Sequence, residues 1–123
     1  MIYDDNPIDR EYDYKENDYI TCLKFLPKNE FIFREHFPEQ SIYPASMIIN
    51  SVMATLERFF EKNNEIINTE NIILKKCIFK RKCSDGEILK IMINKIDSEY
   101  KFNVIGFFSE QTLCNGRFYI AEG

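Results

Sequence analysis

This chain of 123 residues has one imidazole, and its setting suits proton transfer. His36 is followed directly by Phe37 and Pro38, and Pro44 precedes a long apolar run that opens at Ala45. Each proline fixes its own φ angle, so the five residues between them form a stiffened loop. An imidazole changes charge near neutral pH and can take or give a proton there. His36, held beside that loop and just ahead of a buried helix, is therefore the candidate acid/base group. The plain alternative is a structural histidine satisfied by its neighbours. The four cysteines (Cys22, Cys77, Cys83 and Cys114) contain no Cys-x-x-Cys pair, and with one histidine they make no zinc constellation. No metal site is expected, and the thiols read as free.

The elements that must position His36 follow from periodicity. Ala45 to about Lys62 is helical in pattern, with Met47, Ile48, Ile49, Val52, Met53, Leu56, Phe59 and Phe60 apolar. Asn50 and Ser51 are the strongly polar members between Met47 and Thr55, so the helix is expected to be buried on most sides. Pro44 stands where its missing N–H costs little. Tyr19 to Leu26 reads as a strand, and Phe31 to Phe33 as a short extended piece leading to His36. Residues 71–83, 87–96, 100–108 and 111–122 are four further extended runs, separated by Ser84-Asp85-Gly86, Asp97-Ser98-Glu99 and Ser109-Glu110 turns. One helix and these strands make an α+β pattern. A hotdog fold, an antiparallel sheet wrapped around one long central helix, would cover every apolar face.

Charge divides the chain unevenly. Net charge is −4, which argues against general nucleic-acid binding. Residues 1–18 carry a net of −5 and the remainder sums to +1. Residues 1–16 are expected to be an acidic, weakly ordered leader, with a single domain over 17–123. No charged-then-apolar leader marks secretion and no apolar run reaches membrane-spanning length, so a cytoplasmic protein is expected.

The segment from Asn29 to Asn50 resembles the active-site motif of the hotdog-fold (3R)-hydroxyacyl-acyl-carrier-protein dehydratases of fatty-acid synthesis. Asn29, Glu30, Phe33, His36, Phe37, Pro38 and Pro44 match that motif in order and spacing. Residues 79–87 and the final strand, with Cys114-Asn115-Gly116, resemble later parts of the family more weakly. The resemblance implies a dimer or higher oligomer with acyl sites at the subunit interface. It also implies an acyl thioester substrate on acyl carrier protein or coenzyme A, with phosphopantetheine carried by the substrate and no other cofactor. Phe33, Phe37, Pro44, Ala45 and Ser46 would then line the acyl site.

The family's histidine works with a carboxylate fourteen residues later, and that count from His36 reaches Asn50. Glu35, Ser41 and Ala45 also depart from the motif. Dehydrating a 3-hydroxyacyl thioester needs a base for the α-proton and an acid for the departing hydroxyl. An amide can hydrogen-bond that hydroxyl but cannot supply a proton, and loss of a general acid costs about 10²–10⁴-fold. Tyr43 is the first substitute acid, ahead of Ser46, Ser51, Glu35 and Glu39. Backbone N–H groups near Ala45 and Ser46 would still polarise the thioester carbonyl. Three functions stay open on these residues: a 3-hydroxyacyl thioester dehydratase, a non-catalytic acyl-carrier-binding partner subunit, and a thioesterase. The basic cluster Lys75, Lys76, Lys80, Arg81 and Lys82 is either a dock for an acidic carrier or phosphopantetheine phosphate, or a charged edge strand that discourages aggregation.

Overall fold

The computed structural model describes residues 6–26, 45–83 and 86–121. Six strands form one sheet: β1 Arg10–Lys15, β2 Tyr19–Phe25, β3 Ile72–Phe79, β4 Ile88–Ile96, β5 Glu99–Gly106 and β6 Thr112–Ile120. Their spatial order is β1-β2-β4-β5-β6-β3, and every neighbouring pair is antiparallel. The one long helix, α1, spans Ala45–Lys62, and a 3₁₀ turn at Thr69–Asn71 leads into β3. This is an α+β hotdog fold, one long helix packed on an antiparallel sheet. Tight turns use residues that tolerate a left-handed backbone. Asn17 and Asp97 have φ of 57° and 56° between β1 and β2 and between β4 and β5.

Period-two alternation decides which face is dry. Leu89, Ile91 and Ile93 on β4, Tyr100, Phe102 and Val104 on β5, and Leu113 and Phe118 on β6 are buried. They join Ile20 and Cys22 of β2 and the stripe Ile48, Val52, Leu56 and Phe59 of α1 in one core. Each large side chain buried this way contributes about 1.5–3 kcal/mol. Tyr100 takes an edge-on contact from both Phe59 and Phe60, at 6.2 and 5.2 Å between ring centres, which fixes the last turns of the helix on β5. Among the described residues no helix is long and apolar enough to cross a membrane.

Two expectations need correction. Residues 10–15, read as part of a weakly ordered leader, form the edge strand β1, so the sheet begins before residue 17. The strand hides in sequence because its apolar content is low; polar contacts hold it. Glu11 pairs with Arg58 at 3.0 Å and Lys62 at 2.6 Å, and the Tyr14 hydroxyl donates to Asn63 Oδ1. Just upstream, Asp9 and the Asn6 carbonyl receive the buried Lys24 ammonium. The second correction concerns α1. Its buried residues lie on one face, whereas Asn50, Ala45 and Ser46 are exposed and Met47, Ile49 and Met53 are half-buried. An apolar sequence therefore leaves one flank of the helix uncovered by the described residues.

These contacts predict two outcomes. Burial pushes the Glu11 carboxyl up, but hydrogen bonds and charge from Lys62 and Arg58 outweigh it and hold the group below its ordinary value of 4.5. A lowered folded value means stabilisation that is present above 4.5 and lost as pH falls through that lowered value. Protection of the β1 amides against hydrogen exchange should accordingly collapse at acid pH before that of β4 and β5, and Glu11→Gln should weaken it already at neutral pH. The second outcome concerns Gly116 on β6, which faces Phe102 in register. A Cβ there would lie 2.7 Å from Phe102 Cζ and collide with the Lys76 carbonyl oxygen. Gly116→Ala should cost about 1–3 kcal/mol through overpacking, read as a lower urea midpoint.

Candidate active site

Of the candidate site residues, Ala45, Ser46 and Asn50 lie in the described first turns of α1. Pattern and burial explain the geometry: Ile48, Ser51, Val52 and Thr55 turn inward, so residues about 100° away on the helix turn outward. Ser51 and Thr55 tolerate full burial because each hydroxyl donates to the carbonyl four residues earlier, Ser51 Oγ to Met47 at 3.2 Å and Thr55 Oγ1 to Ser51 at 2.8 Å. Ser51 is thereby removed as a substitute acid, since its hydroxyl faces the core and is already engaged. Asn50, one residue earlier, is exposed, and its amide nitrogen reaches the Met47 sulfur at 3.9 Å. Thioether sulfur is a weak acceptor, so the Asn50 amide keeps most of its hydrogen-bonding capacity.

Ala45 and Ser46 are exposed in the first turn, which contains no acidic residue. The positive end of the helix dipole is therefore not neutralised by a carboxylate of that turn. From Ala45 to Leu56 the helix has no acid at all; the first is Glu57. Seven residues separate it from Asn50, about 10.5 Å along the axis at 1.5 Å per residue, too far to act on the same bond. His36, Tyr43, Phe33, Phe37 and Pro44, together with Glu35 and Glu39, lie outside the described residues.

Thiol chemistry has little support. Burial pushes Cys22 up to about 11, despite a hydrogen bond with Thr55, and Cys114 up to about 12; Cys77 is also raised by burial. A thiolate nucleophile is scarce at neutral pH in such settings. No group of His, Cys, Asp and Glu suited to a metal ion occurs among the described residues.

The basic cluster separates on folding. Lys75 binds Glu99 at 2.8 Å, and Arg81 binds Glu87 at 2.6 Å while also donating to the Gln111 and Lys82 carbonyls. Those two cations are already engaged by carboxylates of the same chain. Lys76, Lys80 and Lys82 are exposed. β3 is an edge strand, as the aggregation argument expects, yet it also presents Leu74, Ile78 and Phe79 to solvent. Glu99 escaped notice in the sequence because its link to Lys75 depends on β3 and β5 both pairing with β6, a non-local fact.

Relatives share this framework. Over 92 residues the chain is 28% identical to the 3-hydroxyacyl-acyl-carrier-protein dehydratase FabZ of Histophilus somni. That match covers 72% of this chain and 61% of the relative, so the chain spans less than two thirds of that protein's length. The dehydratase heterocomplex ApeI:P from Xenorhabdus doucetiae has a similar structure, with a TM-score of 0.66, 18% identity, and 91% of this chain and 96% of that one covered. The dehydratase domain from the CurJ module of curacin polyketide synthase gives a TM-score of 0.71 at 15% identity, covering 97% of this chain and 43% of that one. Identities this low bear on the fold alone. The family model described as ApeI-like, ApeI dehydratase, matches residues 12–117, and the chain accordingly belongs to the ApeI-like family of hotdog proteins.

Proposed function

We propose that this protein is an acyl-thioester-binding hotdog subunit that works with a partner subunit, the partner supplying the carboxylate that Asn50 replaces. The observation carrying this reading is Asn50 itself: an exposed amide on the open flank of α1, in a helix without an acid before Glu57. In the complete site the substrate's α-proton passes to His36. The departing hydroxyl takes a proton from the partner's carboxylic acid and leaves as water, and an enoyl thioester remains. Asn50 orients the hydroxyl by hydrogen bonding, and the N–H groups at Ala45 and Ser46 polarise the thioester carbonyl. The solved dehydratase heterocomplex ApeI:P joins unlike chains, which supports a partner of different sequence for this one.

The edge strands support assembly on one side of the sheet. β1 is short and charged, a poor template for another strand. β3 is longer, lies at the opposite edge, and exposes Leu74, Ile78 and Phe79. We place the partner, a chain of different sequence, along β3. Lys80 and Lys82 are left for an acidic acyl carrier.

The test is conversion of a short 3-hydroxyacyl thioester to its enoyl product. The chain alone should be nearly silent, Asn50→Glu should gain at least about 10²-fold, and His36→Ala should abolish the gain. Robust wild-type turnover would overturn the partner reading and make Tyr43→Phe the next variant. Release of free thiol from an acyl thioester would replace it with a hydrolase.

A further inference from the structure

A groove of about 390 Å³ opens on the sheet face turned away from α1. Lys76, Lys101, Arg117, Asn94, Asn103 and Asn115 line it. Strand register creates the arrangement. Asn94 pairs with Lys101, Lys101 with Arg117, and Arg117 with Lys76, so one row crosses β4, β5, β6 and β3. Asn103 and Asn115 pair in the adjoining row. Neighbouring strands lie about 4.7–4.9 Å apart, which brings three cations together in a chain whose net charge is −4.

Like charges placed directly opposite across strands destabilise a sheet. Among the described residues one carboxylate pairs with this row: Glu99 lies 3.4 Å from Arg117 Nη1, and it is shared with Lys75. Protection of a sheet edge does not explain the row, because β5 and β6 are interior strands.

We propose that this groove binds a phosphomonoester. A phosphate with its second pKa near 6 carries close to two negative charges above neutral pH and satisfies the Lys101, Arg117 and Lys76 row. Arg117 contributes a planar fork and the lysines contribute point charges. The side-chain amides of Asn94 and Asn115 line the same groove and offer hydrogen bonds to the esterified body. A cavity of this size accommodates a small phosphorylated molecule. The site is independent of the thioester reading, since it lies on the other face of the sheet from Asn50.

The test titrates the full chain at pH 8 and low salt with AMP and with inorganic phosphate, following backbone amide shifts. Sodium sulfate at matched ionic strength serves as the control. Saturable shifts centred on Lys76, Lys101, Asn103 and Arg117 are expected, and Lys101→Gln should weaken AMP binding about tenfold, the lower range for a charged hydrogen bond. AMP binding tighter than phosphate assigns the site to esters. Equal affinity overturns the role of the ester body. Absence of saturable binding, a sulfate response equal to that of AMP, or unchanged affinity in a folded Lys101→Gln protein would overturn the site.

Discussion

The apolar face of α1 must be buried against the inner faces of β2 and β4, and that contact determines where the polar residues of the helix can stand. Ile48, Val52, Leu56 and Phe59 occupy one stripe. Helix geometry then places Asn50, Ala45 and Ser46 outward without any further choice. The same packing draws Ser51 and Thr55 inside, where their hydroxyls are consumed by the helix backbone. The chemistry open to the site is therefore an outcome of hydrophobic burial: adjacent polar residues, Asn50 and Ser51, receive opposite roles.

Ion pairs do the work at the margins of that core. β1 has too little apolar surface to hold an edge position alone, and Glu11 joins it to Arg58 and Lys62 near the end of α1. Surface pairs of this kind are individually weak. Here two cations share one carboxylate that is also partly enclosed, and the Tyr14–Asn63 hydrogen bond acts in parallel. At the other edge, Glu99 joins Lys75 of β3 to Arg117 of β6. One acid between these cations reduces their repulsion there, while Lys101 and Lys76 extend the positive row beyond its reach.

Family membership and local chemistry bear on different questions. The ApeI-like match and the hotdog framework place the chain among proteins built around one helix and an antiparallel sheet. Asn50 concerns what such a framework can do in this chain. An amide preserves size and hydrogen bonding at its position but carries no transferable proton. The exposed flank of α1 and the apolar residues of β3 bear on the proposed partner, because an interface needs surfaces that a second chain can cover.

Local periodicity made most of the architecture legible. The helix expected from Ala45 to about Lys62 has those bounds in the structure, and the extended runs at 71–83, 87–96 and 111–122 contain β3, β4 and β6, while β5 starts one residue ahead of the run at 100–108, at Glu99. Both signals repeat within a few residues, so the chain displays them without tertiary information. β1 was missed because its apolar content is low and the contacts that tie it to α1 come from Asn63, Arg58 and Lys62, some fifty residues away. The split of the basic cluster had the same cause: Lys75 and Arg81 are engaged by Glu99 and Glu87 across folded strands. Residue type alone identified Asn50 as an amide at a chosen spacing; only packing decided that it faces outward. The alignment of Lys101, Arg117 and Lys76 was invisible for a stronger reason. Strand register is a non-local choice, and a shift of one residue would have sent each of those side chains to the opposite face.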